Sequence, residues 1–170
     1  KRAAVIAGGL AALSLAAYYA AINRIATDVS SLPLRVYRRR RQGGRDEIVD
    51  HPVAERLGTS PDGETTSMRW RQALIGHMLG WGNGYAEITF DAAGYPTGLY
   101  LLDPSTTIPD RMPQNKRLYY RLGGYEGKAT LPPSRVLHCA GFGFDGLRGY
   151  SVARLASEAP AAPMPQTQPA

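Results

Sequence analysis

The sequence lacks the residue patterns on which most enzyme sites depend. It has one cysteine, Cys139, so an intramolecular disulfide and a cysteine-based zinc site are excluded. Its three histidines, His51, His77 and His138, show neither the HxxxH nor the HExxH spacing of a metal site. Adjacent strand residues face opposite sides, so His138 and Cys139 are not a nucleophile–base pair. We therefore expect no catalytic residue, no cofactor and no metal, and an enzyme is the least favoured function.

A phosphate-binding loop is missing as well. Gly80, Gly82 and Gly84 lie close together, but the third glycine of a dinucleotide fingerprint would fall on Tyr85. The order of elements is also wrong, because a helical pattern precedes these glycines and a strand pattern follows them. A phosphate loop needs a strand and then a helix, whose N–H groups face the anion. The glycines therefore predict a tight helix-to-strand turn.

Positive charge is in excess, with a net charge of +6. A basic balance favours a polyanion nearby, such as DNA or membrane lipid, without choosing between them. The only dense run is Arg38, Arg39, Arg40 and Arg41, which precedes a Gly-Gly pair and is typical of a basic, flexible loop. It could contact DNA phosphates. The alternative, which we favour, is a mobile loop that keeps an edge strand soluble.

Residues 1–32 predict one long helix that ends before Pro33. Large apolar residues recur at steps of three and four on one face, which we expect to pack on a protein core: Leu15, Tyr18, Ile22, Ile25, Val29 and Leu32. The competing interpretation is a signal peptide or membrane anchor, because Lys1 and Arg2 precede an apolar run over residues 3–22. That run is mostly Ala and Gly, and the periodicity continues past it, so a membrane role is the less favoured interpretation.

The rest of the chain predicts an α+β domain of short helices and antiparallel strands over residues 33–155. The helices are expected at 52–57 and from Thr66 or Ser67 to the glycine turn, and the strands at 32–37, 85–90, 99–102, 118–122 and 136–138. Asp91 to Gly94 predict a hairpin turn. Residues 156–170 are mainly Pro, Ala and Gln, and we expect them to be a disordered tail.

The order of several segments resembles a known family: AAYYAAINRIATDVSSLPLRVYRR, HPVAERL, WRQALIGHMLGWGNGYAEITFDAAGYPTGLYLLDPSTT and VLHCAGFGFDGLRGYSVAR. This order is similar to that of the HK97-like phage portal proteins, which are also found in prophages and gene transfer agents. The resemblance covers roughly residues 15 to 155. It rests on short motifs whose positions here are Leu32, Pro33, Leu34, Tyr37, Gly82, Asn83, Tyr85, Leu99, Leu102, Pro104, His138, Asp145, Gly146, Gly149 and Ser151.

The resemblance implies a non-enzymatic head–tail connector subunit. Copies would form a ring, usually of twelve, at one capsid vertex of the virion, after assembly in the bacterial cytoplasm. Double-stranded DNA would pass through the ring, and the major capsid protein, the terminase and head–tail adaptor proteins would be partners. Residues 33–155 would form a portal wing-like domain. Family members are usually more than twice as long, so we expect a truncated form without stem and clip. The alternatives are a small membrane-anchored protein and a basic nucleic-acid-binding module.

Overall fold

The computed structural model describes residues 2–123, 129–143, 145–152 and 155, with side chains from residue 15 onwards. Its helices are α1 (Arg2–Ser31), α2 (Pro52–Gly58) and α3 (Ser67–Trp81), and a 3-10 turn covers Pro133–Arg135. The strands are β1 (Tyr37–Arg39), β2 (Arg45–Glu47), β3 (Asn83–Phe90), β4 (Pro96–Leu102), β5 (Thr107–Arg111), β6 (Leu118–Leu122), β7 (Ala129–Leu131) and β8 (Val136–Ala140). All the strand pairs are antiparallel, which confirms the α+β class.

The strands form a two-stranded hairpin and two three-stranded sheets. The hairpin pairs β1 with β2, one sheet has the order β4-β3-β8, and the other has the order β5-β6-β7. In the first sheet, Tyr85 lies opposite Leu102 on one side and His138 on the other. Strand β3 is therefore the centre of the domain, and its neighbours come from both nearby and distant parts of the chain.

The two faces of the β4-β3-β8 sheet bury two separate clusters, because side chains alternate along each strand. One face packs with the second three-stranded sheet and buries Tyr85, Leu102, Tyr120, Leu122 and Val136. The other face packs against α3 and buries Trp70, Leu74, Ala86 and Leu99. The Trp70 indole N–H also donates to the Leu99 carbonyl at 2.8 Å, which fixes α3 on the sheet. The sheet is therefore the middle layer of the domain.

Local sequence signals set the ends of α3. The Thr66 hydroxyl accepts a bond from the Arg69 N–H at 3.4 Å, so Thr66 is the N-cap, as one of the two predicted positions. The helix ends at Gly82, which has the left-handed φ of 82° that glycine adopts without a Cβ penalty. The predicted helix-to-strand turn is confirmed, and it brings β3 directly under the helix.

The prediction of a strand at residues 32–37 followed by a loop of four arginines is wrong apart from Tyr37. The strand begins only at Tyr37 and includes Arg38 and Arg39, which lie opposite Asp46 and Arg45 in β2. A strand requires a partner for its backbone groups, and the partner β2 starts directly after the turn at Gly43 and Gly44, both with positive φ. Apolar alternation alone could not place that partner.

The expectation that α1 packs through all six of its large apolar residues is also wrong. Ala26 and Ser30 are the buried positions, with exposed fractions of 2% and 0%, whereas Ile25, Val29 and Leu32 are exposed. Small side chains allow α1 to approach α3 closely, and polar bonds hold that face in place. The Gln72 amide donates to Thr27 Oγ1 at 2.8 Å, and Arg71 donates to the Leu32 carbonyl.

A membrane-spanning helix is not found in the part of the chain that the structure describes. No helix there combines enough length with enough hydropathy to cross a bilayer. The Ala- and Gly-rich composition of α1 accounts for this result, because these residues contribute little to the free energy of insertion.

Candidate functional site

Asn83, the first residue of β3, holds the distant 141–151 segment against the sheet. Its side-chain N–H donates to the Gly149 carbonyl at 2.9 Å, and its Oδ1 accepts a bond from the Gly149 N–H at 2.9 Å. Both backbone groups of one residue are thus satisfied by one buried amide. Because 66 residues separate the two partners, this pair closes the domain rather than a local turn.

His138 extends this contact across both three-stranded sheets. Its Nε2 lies 3.0 Å from Asn83 Oδ1, and its Nδ1 lies 3.2 Å from the Tyr120 hydroxyl. An amide oxygen can only accept, so Nε2 carries the proton, and Nδ1 accepts the proton of Tyr120. The chain of bonds from Tyr120 through His138 to Asn83 is therefore complete with a neutral imidazole.

Three aromatic rings pack around this network. The His138 ring lies 4.5 Å from the Tyr85 ring with an interplanar angle of 32°, and Tyr120 meets both rings edge-on. Burial raises the pKa of Tyr85 to about 12 and lowers the pKa of His138. Both shifts favour the uncharged side chains, so this centre is suited to holding two sheets together and is not poised for proton transfer near neutral pH.

Glycines allow the backbone of the 141–151 segment to touch the α3–β3 turn. A Cβ on Gly82 would lie 2.5 Å from the Gly149 carbonyl oxygen, and one on Gly149 would overlap the Gly82 oxygen. The Gly82 carbonyl accepts a bond from the Gly141 N–H at 2.8 Å, and the Ser151 hydroxyl donates to the Gly80 carbonyl at 2.7 Å. We call Gly82, Asn83, Tyr85, His138, Gly149 and Ser151 the junction.

The Asp145 loop connects the junction to the second sheet. Asp145 Oδ1 accepts bonds from the Leu147 and Arg148 N–H groups at 2.8 and 2.7 Å, which is typical of an aspartate in a Gly-rich turn. These backbone bonds lower the pKa of the Asp145 carboxyl. Arg148 then donates to the Pro109 carbonyl of β5, so the loop is bonded to the second sheet as well as to the junction.

The remaining motif positions lie outside the junction. Leu99 and Leu102 are core residues on opposite faces of β4, and Pro104 lies in the turn after it. A third group surrounds the end of α1 and the start of β1, where the side chains of Leu32, Leu34 and Tyr37 are exposed. The structure thus brings six of the fifteen motif positions together in the junction. Leu32, Leu34 and Tyr37 lie elsewhere on the surface.

The predicted phosphate-contact residues lie on the β1–β2 hairpin and are exposed. Arg40 pairs with Asp46, and Arg35 makes two bonds to Glu47 at 2.8 and 2.9 Å. Among the described residues, Arg39 and Arg41 have no ion pair. Six arginines against two acidic residues place four of the chain's six net positive charges on residues 35–47. The hairpin is therefore the main cationic surface of the described domain.

The described residues contain no group of three His, Cys, Asp or Glu side chains that could hold a metal ion. Cys139 faces away from His138 and packs on the α3 side of the sheet, as strand alternation predicted. Burial raises the pKa of the Cys139 thiol, which lowers its reactivity.

Lowering the pH from 7 towards 5.5 is expected to destabilise the fold. Burial lowers the pKa of both His77 and His138, so the unfolded chain, with pKa values of about 6.5, binds more protons in this window. Stability is thus fully present above pH 6.5 and is lost as the pH falls to the lowered pKa values. The slope cannot exceed about 1.4 kcal/mol per pH unit for each histidine, since the unfolded chain binds at most one more proton there.

The measurement is urea unfolding at several pH values. The matched variant is His138→Gln, which keeps an amide donor towards Asn83 but cannot gain a proton. We expect the free energy of unfolding of this variant to depend less steeply on pH than that of the wild type. An unchanged slope would contradict the neutral His138 network.

Comparison with known proteins decides the family. The family model described as "Phage portal protein" matches residues 16–162. The chain belongs to the phage portal protein family. It is 27% identical over 140 residues to the portal protein of Enterobacteria phage HK97, and this match covers 82% of the chain and 32% of that relative. The stretch thus spans about a third of the length of a known portal protein.

Solved structures show the same fold at lower identity. The neck of an empty gene transfer agent particle, computed with C6 symmetry, matches with a TM-score of 0.64 and 22% identity, covering 82% of this chain and 37% of that one. An HK97-family portal protein from Corynebacterium diphtheriae matches with a TM-score of 0.51 and 17% identity, covering 78% and 39%. The α+β domain described above is therefore a portal fold.

Proposed function

We propose that this chain supplies the wing-like domain of a portal subunit, with residues 33–155 as the domain. Copies would form a ring at one capsid vertex of a tailed phage, prophage or gene transfer agent particle. The match to the portal family over residues 16–162 carries this proposal. The solved necks of similar fold, computed with C6 and C12 symmetry, support a ring, since rotational symmetry repeats one subunit around an axis.

The junction supports a structural role rather than a catalytic one. The polar atoms of Asn83 and the two ring nitrogens of His138 are bonded within the domain. A catalytic group needs a free atom within reach of a substrate. A network that is satisfied internally instead fixes one arrangement of two sheets and a loop, which suits a subunit that must repeat identically around a ring.

We propose that the β1–β2 hairpin contacts the phosphates of double-stranded DNA. Arg39 and Arg41 are exposed and without an ion pair among the described residues, so their charges are available. A ring repeats each charge many times around the axis, so few cations per subunit suffice. Like-charge repulsion within the hairpin is limited, because Asp46 and Glu47 neutralise Arg40 and Arg35.

The expected result is a loss of salt-dependent DNA affinity when Arg39 and Arg41 are both replaced by Ala. Each phosphate contact contributes about 0.9 to the slope of log K against log salt, so the slope should fall by about 2 per subunit. Replacing Arg38 and Arg40 as well should lower it further. The matched control is Arg69→Ala with Arg117→Ala, two exposed arginines outside the hairpin with the same change in net charge. An equal fall of the slope in both double variants would mean that DNA affinity depends only on the net charge of the chain.

We further propose that the major capsid protein, the terminase and head–tail adaptor proteins are partners, and that the chain resides in the virion after assembly in the bacterial cytoplasm. The test is to express a tagged copy in cells that produce particles of this type. We expect it to sediment with purified particles in far fewer copies than the capsid protein, as one vertex requires. A tag found only with free protein would contradict the proposed location.

A further inference from the structure

The C-terminal end of α1 and the turn that follows it carry an exposed apolar stripe. Ile25 and Val29 are 47% and 46% exposed and lie four residues apart, so they share one helix face. Leu32, which is 61% exposed, follows directly after the helix, and its N–H donates to the Val29 carbonyl at 3.3 Å. Leu34 continues this surface with 45% exposure. We call Ile25, Val29 and Leu32 the stripe. Neighbouring exposed apolar side chains that form one patch are typical of an interaction surface.

The stripe is not needed to hold α1 in place. The helix is attached to α3 through a different face, where Ala26 and Ser30 are buried and Gln72 bonds to Asn23 and Thr27 at 3.2 and 2.8 Å. That face lies about 100° around the helix from the stripe, since each residue turns the helix by about 100°. The stripe is therefore free for another surface while α1 stays anchored.

The charges around the stripe limit what can cover it. The neighbouring Arg24 and Asp28 form an ion pair at 2.8 Å, so the edge of the stripe is neutral. DNA would need free cations at its binding surface, and these lie instead on the β1–β2 hairpin. Two copies of a chain with a net charge of +6 repel each other, so they meet most favourably where neither presents a net charge.

We propose that the stripe packs against a second copy of this chain, as one of the two faces that join neighbouring subunits. This inference rests on the proposed ring. A closed ring needs a head-to-tail contact, in which the stripe of one subunit meets a different face of the next. Its apolar centre and its neutral Arg24–Asp28 edge match the apolar core and polar rim of protein interfaces.

The test compares native mass across concentrations for the wild-type chain and for Ile25→Asp with Val29→Asp. A buried, unpaired carboxylate at an interface centre should weaken self-association by about a hundredfold or more. The control is Val49→Asp, which places one carboxylate at an exposed apolar residue after β2, with 70% exposure, outside the stripe. Because all three side chains are exposed in the single chain, urea unfolding of the monomer should change little in every variant.

We expect the wild type and Val49→Asp to assemble and the stripe variant to remain monomeric. Assembly of the stripe variant like the wild type would overturn the inference and leave the proposed ring intact. A wild type that stays monomeric, or stops at a dimer, would overturn both the inference and the ring. Binding of the wild type, but not the stripe variant, to anionic lipid vesicles without self-association would assign the stripe to a membrane surface instead.

Discussion

Replacing Gly82 by alanine is expected to destabilise the domain by between about 2 and 5 kcal/mol. The residue has a φ of 82°, and a left-handed conformation costs a non-glycine residue about 1–2 kcal/mol. The added Cβ would also lie 2.5 Å from the Gly149 carbonyl oxygen and the Tyr150 carbonyl carbon. Backbone cannot move aside like a flexible side chain, so this overpacking adds about 1–3 kcal/mol.

Gly94→Ala separates these two contributions. Gly94 has a φ of 85° in the β3–β4 turn, and a Cβ there would meet nothing within 4 Å. The Gly94→Ala variant is therefore destabilised only by the left-handed backbone conformation, without any steric overlap. Urea unfolding of both variants measures the difference, which is the contribution of the close approach between Gly82 and Gly149. Equal losses in the two variants would mean that the 141–151 segment does not lie against the α3–β3 turn.

Asn83→Ala is expected to cost about 3 kcal/mol or more. It would leave the Gly149 N–H, the Gly149 carbonyl and the His138 Nε2 proton without partners, and each buried unsatisfied group costs about 1–3 kcal/mol. The costs of these three groups do not simply add, because the loop can relax so that water reaches them. The 141–151 segment should also open more often, and the Gly149 amide should exchange its hydrogen faster than amides in β3.

The measurements are urea unfolding and amide hydrogen exchange. The matched control is Asn115→Ala, which removes one bond, to the Arg117 N–H at 3.0 Å, in an exposed turn. We expect it to cost less than about 1 kcal/mol, because water can replace its partner. Unchanged exchange at Gly149 in Asn83→Ala would show that this amide does not hold the loop.

The elements that depend on local chemistry could be predicted from the sequence. The β3–β4 hairpin follows from alternation on both sides of Asp91 to Gly94, where Asp91 Oδ1 accepts from the Ala93 and Tyr95 N–H groups. The start of α3 follows from a capping hydroxyl, and its end follows from glycine. In each case a few neighbouring residues decide the conformation, so the pattern carries the information.

Elements that depend on distant partners could not be placed in the same way. Strand β5 contains Pro109, which reads as a break until β6 is seen to pair with it. The packing face of α1 was predicted only in part. The predicted Tyr18 and Ile22 are half-buried on that face. Ala26 and Ser30, which complete it, look less apolar than the exposed Ile25 and Val29. Helix periodicity finds a stripe, but it does not say whether the stripe meets the same chain or another one.

The junction, too, could be predicted from the sequence only in part. The resemblance to portal proteins named Asn83, His138 and Gly149 as motif positions, but the residues gave no sign that the three touch. Strand alternation did separate His138 from Cys139 correctly. The pairing of β8 with β3, which brings His138 beside Asn83, joins segments more than fifty residues apart, and this register is set by packing. Their roles in a portal remain a prediction.

The most direct test of the central claim is the native mass of the purified wild-type chain, without detergent, over a wide range of concentrations. We expect a discrete closed assembly, of about twelve chains by the family resemblance, that forms as concentration rises and shows rotational symmetry by electron microscopy. A chain that stays monomeric up to the highest concentrations would contradict self-assembly through this domain. An assembly that grows without a defined size would contradict a closed ring.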